Sequence, residues 1–365
     1  MEKLKAKIWD TPIELDGVKI KNRIVFPSIG TNWANIDGTL SEKSFRNYKT
    51  VSEGGCGIII TEATAISPDA KPTSNALCLY NKEHLKSLKI LPKIFEKNNV
   101  YPAIQLIHAG GQANPDFTGH EPHSPSEMDA VMTGTGHPSR ELEVDEIKEI
   151  KDNFIKSAVL AKKAGFKAIE LHQAHGYLLH EFLSEHTNKR KDKYGGSIEN
   201  RMRLVLEIIK GIQKEVPDIT LGTKISGEDY LKDGLNENIN KIIVPVLEKA
   251  GLKYFHVTAG IYETSKLKHE AMGKGEFFKY AKGIKNMVKC PVIGVGKVKD
   301  LDTAEKYLLD GCCDMVSIGR GQIADPHMVI KIKNNLPFNR CQDNRWCSYL
   351  SRGKQSMDCP QRKFD

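Results

Sequence analysis

No apolar run in this chain reaches the roughly 18 residues that a membrane-spanning helix needs, so no membrane span is expected. The amino terminus reads MEKLKAK with no apolar stretch behind it. A secretory leader is therefore not expected, and the chain reads as cytoplasmic. Aromatic residues are few, at 7%, and neither an internal repeat nor a low-complexity segment stands out. Fibrous, solenoid and disordered classes are thereby disfavoured. What is present suits a buried core: 39% of 365 residues are apolar and 27% charged. The net charge is +8, from 54 basic and 46 acidic residues. Its lysines are scattered, and the densest cluster, 188–193, is only six residues long. This reads as a solvated surface rather than a nucleic-acid or membrane footprint, with some attraction for anionic substrates or cofactors. Among eight cysteines, Cys56, Cys78, Cys290, Cys312 and Cys313 lie in or beside apolar stretches and read as buried small hydrophobes. Without a leader, a disulfide framework is not expected.

Eight short apolar segments occur in order, at 24–27, 57–61, 102–106, 168–171, 221–225, 254–258, 291–295 and 314–318. Most are bounded by Gly, Pro or a charge, as buried parallel strands tend to be. Helical patterns lie between several of them. One starts near Asp145 as N-cap, carries Ile147, Ile150, Phe154, Ala158 and Ala161 on one stripe, and stops at Gly165. Another starts near Ser197 and presents Met202, Val205, Ile209 and Ile212. Strand and helix alternating eight times predict a (β/α)8 TIM barrel over residues 1–336, followed by a short cysteine-containing tail, 337–365. Residues 107–142 are long and rich in Gly, Pro, His and Ser, and follow the third strand. That places them over the C-terminal mouth, where barrel active sites lie.

Chemistry is accordingly sought where strands end. The seventh end carries Gly294, Gly296 and Lys297, and the eighth Gly319 and Arg320. Small residues with two cations suit a phosphate, although a plain tight turn fits Gly-Val-Gly equally. A Walker loop is excluded, since Pro291 stands where Gly is needed and Val298 where Ser or Thr is needed. The fourth strand runs into His172 and His175, with Tyr177 two residues on. A metal reading would need a third ligand; His180, His186 and His256 are available, none at a recognisable ligand spacing. Two imidazoles aimed at one carbonyl or carboxylate oxygen make a hydrogen-bonding clamp. A tyrosine, with a pKa near ~10, suits a strongly basic acceptor such as a carbanion or enolate. The combination points to reduction of a polarised double bond.

The block from Glu170, Leu171 and His172 through His175-Gly176-Tyr177, Phe182-Leu183-Ser184, Asn188, Arg190, Tyr194-Gly195-Gly196-Ser197 and Glu199-Asn200-Arg201 resembles the old yellow enzyme family of NADH:flavin oxidoreductases. Lys21-Asn22-Arg23, Thr61-Glu62, Gln105-Leu106, His108-Ala109-Gly110 and Gly319-Arg320 match too, so the resemblance covers positions 8–332. It implies FMN at the barrel mouth, reduced by NADH or NADPH, and an α,β-unsaturated carbonyl or carboxylate as acceptor. By position it implies Ser28, Ile29, Gly30, Ala63 and Gln105 along the isoalloxazine and Lys224 at its N1–C2=O edge. Gly296, Lys297, Gly319 and Arg320 would hold the phosphate. His172 and His175 would bind the acceptor and Tyr177 would donate the proton, with hydride from flavin N5. Four positions depart from the family: Lys224 stands for a frequent Arg, Gly30 for a side-chain donor, Gly111 for an Arg and Glu185 for a Pro.

The tail resembles the cluster-binding segment of the dienoyl-CoA reductase branch. Cys341, Cys347 and Cys359 fit three of four cysteine positions, and Asn344 stands where the fourth is expected. An iron–sulfur cluster is therefore not expected; a degenerate remnant, a zinc site and free thiols stay open. With the last residue at Asp365, no further nucleotide-binding domain is expected. The leading reading is an FMN-dependent NAD(P)H:alkene oxidoreductase acting on a small molecule, with a homo-oligomer left open. Three alternatives are a flavoprotein electron-transfer subunit with a partner and a tail cluster, an FMN-holding sensor, and a metal-dependent barrel hydrolase. The missing thiolate opposes the first and the His-His-Tyr set opposes the second. The third would need an Asp or Glu ligand at another strand end.

Overall fold

The computed structural model describes residues 7–343, 347 and 355–362. Asn344 and residues 1–6 lie outside the described residues. Eight parallel strands close on themselves in chain order. They are β1 (Ile24–Phe26), β2 (Ile58–Ala65), β3 (Tyr101–Ile107), β4 (Ala168–Gln173), β5 (Thr220–Ser226), β6 (Phe255–Thr258), β7 (Val292–Val295) and β8 (Met315–Ser317). Each matches one apolar segment of the sequence.

Side chains on a strand alternate between its two faces, and here the two faces join different cores. Val25, Ile58, Ile60, Ala103, Ala168, Tyr254, Ile293 and Met315 form one cluster inside the barrel. Their neighbours Ile24, Ile59, Ile104, Ile169, Phe255, Val292 and Val316 pack outward into the main core with the helices. Leu15 and Ile20 complete the inner cluster. They come from a hairpin, Ile13–Leu15 with Val18–Ile20, turned by Asp16 and Gly17 at positive φ. This hairpin packs onto the apolar end of the barrel interior. The polar interior positions Gln105, Glu170, Lys224 and His256 come two residues further along their strands. Chemistry is left to the opposite, C-terminal mouth.

The helix predicted from Asp145 spans Val144–Ala164, with Glu143 as its N-cap and a capping box to Glu146. Asp145 instead sits in its first turn, where its charge faces the helix dipole. Gly165 ends it at φ 106°, and Ser197 caps Ile198–Glu215 as expected. Residues 107–142 hold short pieces only, among them Pro115–Thr118, Ala130–Thr133 and the paired strands His123–Ser124 and Arg140–Glu141.

Two readings of the surface are corrected. Within the 188–193 cluster, Asn188 and Arg190 are buried rather than solvated. The Arg190 guanidinium donates to the carbonyls of Pro125 (2.9 Å) and Leu142 (2.6 Å) and pairs with Asp192, so it clamps the 107–142 excursion to the barrel. Cys290 and Cys312 are half-buried, unlike Cys56, Cys78 and Cys313. Among the described residues, no helix is long and apolar enough to cross a membrane.

Candidate active site

A cavity of about 500 Å³ opens at the C-terminal mouth. Ser28, Ile29, Gly30, His175, Lys224, Gly296, Lys297, Gly319 and Arg320 all line it. Nine residues named from strand ends thus converge on one hollow. Thr258, Lys268, Phe277, Cys347 and Met357 line it as well. Two other hollows, of about 440 Å³ beside Asp69 and His123 and about 530 Å³ at the barrel base, lie apart from it.

A chain of hydrogen bonds runs through the upper barrel interior. Ser28 Oγ donates to Gln105 Oε1 (2.8 Å), and Gln105 Nε2 donates to Glu170 Oε1 (2.6 Å). Glu170 Oε2 meets His256 Nδ1 at 3.0 Å. Burial works against the Glu170 charge, but His256 and Lys224 outweigh it and hold the carboxyl below its ordinary value. Lys224 is itself pulled down by burial, and Glu170 only partly restores it. These buried bonds fix side-chain positions, so Gln105 is held in one orientation next to Ser28, although His256 Nε2 is left without a partner among the described residues.

His172 ends β4, and the turn after it puts His175 at φ 63° and Gly176 at φ 79°. A left-handed histidine costs of order 1–3 kcal/mol and is a common feature of functional turns. Gln112 Nε2 donates to the His175 carbonyl (2.8 Å) and holds that turn. The His172 ring meets His175 edge-on at 5.2 Å and Tyr177 at 4.8 Å between centroids. His175 Nε2 pairs with Thr258 Oγ1 at 3.0 Å. His172 Nδ1 is buried with no hydrogen-bond partner among the described residues. Burial, with Lys224 beside His172 and Lys268 beside His175, pushes both imidazoles well below their ordinary pKa. They are therefore neutral, each with one N–H to donate. Burial raises the Tyr177 phenol, which keeps its proton.

On the opposite side, Gly296 at φ 146° and Lys297 at φ 55° form a sharp turn after β7. A Cβ on Gly296 would stand 3.1 Å from Phe277 Cβ, so only glycine fits both the angle and the space. Lys297 Nζ and Lys299 Nζ reach Asp343 Oδ2 at 3.0 and 3.1 Å, and Arg320 pairs with its other oxygen.

Gln105, His172 and Tyr177 are not on the cavity wall, and neither is Ala63. It sits half-buried in the register shift between Thr61 and Thr64 where β2 pairs β3. The three spare histidines are engaged elsewhere: His180 with Asp229 (3.0 Å), His186 with Asp233 and Glu263, and His256 with Glu170. Sequence reasoning missed Asp69, His108 and His123, whose ligand atoms lie within 4.8 Å of one another. Gly110 N–H donates to His108 Nδ1 at 3.0 Å, which places the His108 proton on Nε2, facing Asp69 at 3.3 Å. That tautomer makes a hydrogen-bonded pair rather than a metal ligand. Lys268, Lys299 and Thr258 were also missed. Lys268 lies on a helix, Ser265–Gly273, outside every strand end. Two departures from the family acquire causes: a Cβ at Gly111 would run into Met128 Cε, and Glu185 pairs with Arg201 (3.4 Å).

The family described as NADH:flavin oxidoreductase / NADH oxidase matches residues 10–339. A Thermoanaerobacter brockii NADH oxidase is 39% identical over 319 residues, covering 86% of this chain and 49% of that protein. A Clostridium acetobutylicum NADPH dehydrogenase is 33% identical over 325 residues, covering 87% of this chain and 94% of that protein. A 2-naphthoyl-CoA reductase solved with 2-naphthoyl-CoA superposes with TM-score 0.91 at 27% identity, covering 98% of this chain and 57% of that one. This chain thus spans about half of the first relative and of the solved reductase, and nearly all of the clostridial one. With a (β/α)8 barrel and the strand-end residues gathered at its mouth, the chain belongs to the NADH:flavin oxidoreductase / NADH oxidase family.

Proposed function

We propose that this chain holds FMN at the C-terminal mouth, draws reducing equivalents from NADH or NADPH, and reduces an activated, α,β-unsaturated acceptor. The residues fit that cofactor. Gly296 and Gly319 leave room for close backbone approach, with Lys297 and Arg320 beside them as counter-charges. Ser28, Ile29 and Gly30 line the hollow, and Gln105 is pinned through Ser28 and Glu170 next to them. Lys224 is a cation suited to the electron-rich N1–C2=O edge. FMN supplies hydride chemistry between a nicotinamide and an alkene; the chain supplies orientation and electrostatics.

The observation that carries the reading is the ring trio at the end of β4. His172 and His175 are neutral donors, and His172 has a buried nitrogen with no partner among the described residues. They hold the carbonyl or carboxylate oxygen of the acceptor and stabilise the charge that develops there. Tyr177, in ring contact with His172, gives its phenolic proton to the carbon that becomes basic. Lys224 and Lys268 add positive field on the same side, which favours an acceptor whose activating group is an oxyanion.

Tyr177→Phe tests the assignment. Anaerobic stopped-flow should show alkene reduction slowed by ~10²–10⁴, the usual worth of a general acid. Reduction by nicotinamide should be nearly unchanged. A parallel fall in both half-reactions would make Tyr177 a structural residue instead.

A further inference from the structure

Three cations converge on one carboxylate at the phosphate side of the mouth. Lys297 and Lys299 reach Asp343 Oδ2 at 3.0 and 3.1 Å, and Arg320 pairs with Oδ1. The Asp343 side chain is only 15% exposed. Burial opposes its ionisation, yet the lysine hydrogen bonds and Arg320 keep the carboxyl below its ordinary value. Lys297 and Arg320 line the cavity. Asp343 belongs to the tail, which is anchored on either side: Arg340 pairs with Asp300 (3.6 Å), and Met357 N–H donates to the Thr31 carbonyl (2.9 Å). A planar carboxylate with two oxygens on lysine and guanidinium donors presents the same chemistry as two oxygens of a phosphate. Two anions on one cation set repel, so carboxylate and phosphate exclude each other.

We propose that Lys297, Lys299 and Arg320 form a three-cation phosphate subsite, with Lys299 a further cofactor-binding residue, and that Asp343 is its built-in occupant, seated until an incoming phosphate displaces it. This rests on the FMN reading above. A cofactor that must first displace the tail binds with an affinity reduced by the fraction of molecules in the open form. The phosphate-free analogue riboflavin carries nothing that competes with Asp343.

The test titrates the full-length apo-protein with FMN and with riboflavin, followed by flavin fluorescence quenching, in wild type and Asp343→Asn. If the seated form outweighs the open one by about ten to one, FMN tightens about tenfold in the variant while riboflavin is unchanged. In the Asp343→Asn background, Lys299→Met should then loosen FMN but not riboflavin. FMN affinity equal or weaker in Asp343→Asn overturns the proposal, as does an equal shift for both flavins. If neither protein takes up either flavin, the FMN reading fails separately. Calorimetry with inorganic phosphate then decides: tighter binding to Asp343→Asn supports the occupied subsite, and equal binding overturns it.

Discussion

Glu62 is a carboxyl placed where water does not reach, at 2% exposure. It accepts hydrogen bonds from Thr31 N (3.0 Å) and Thr31 Oγ1 (3.0 Å). Burial nevertheless lifts its pKa from 4.5 to about 7. A folded value above the unfolded one gives stability that is full below the unfolded pKa and lost as pH rises through the folded one. The window here runs from 4.5 to about 7. Glu62→Gln should therefore gain melting temperature relative to wild type on moving from about pH 5 to about pH 8. A constant offset at the two pH values would show that Glu62 is not buried as an acid. Lys268 gives a second residue-scale expectation. Burial and the neighbouring Lys224 lower it to about 8. An acceptor with an anionic activating group should lose affinity as pH passes about 8, whereas a neutral enone of the same skeleton should not. Steady-state KM across that range reads the difference, and Lys268→Met should abolish it.

Among elements, the 107–142 excursion depends on one buried guanidinium more than on its own short segments. Arg190 holds the carbonyls of Pro125 and Leu142 through one guanidinium nitrogen, Nη1, while Nε and Nη2 hold Asp192. Lysine offers a point charge without the planar fork that keeps Asp192 and both carbonyls engaged together. Arg190→Lys should speed amide exchange in residues 123–142 while leaving the barrel strands protected, as hydrogen-exchange mass spectrometry would show. Uniform protection in the two proteins would mean that the excursion is held by other contacts. The sequence displayed this element only as a long polar loop. Arg190 looked like part of a solvated basic cluster, because nothing local distinguishes an arginine facing water from one facing two carbonyls brought by residues 65 and 48 positions away.

At the scale of the whole molecule, the barrel was legible because buried parallel strands leave short apolar runs with Gly, Pro or charge at their ends. All eight segments became strands, displaced by a few residues at their limits. The residues at those ends were legible too, since a barrel sends its strand termini to one face. What stayed hidden has a common cause. Glu170 and His256 meet across 86 positions of sequence, and Asp69, from the connection after β2, meets His108 and His123, from the connection after β3. Asp343 reaches Lys297, Lys299 and Arg320 only through the path of the tail. Partners chosen by closure of the ring leave no periodicity to read. The inner faces of the strands divide along their length: apolar near the hairpin, then the polar layer of Gln105, Glu170, Lys224 and His256, then the mouth. That gradient confines polar chemistry to one end of the barrel.

The account turns on FMN at that mouth. The most direct measurement is the visible spectrum of protein incubated with FMN and desalted, followed anaerobically through addition of NADH or NADPH and then of an enone. The account predicts a retained flavin band that bleaches with the nicotinamide and returns with the enone. A desalted protein that stays colourless under these conditions would contradict it.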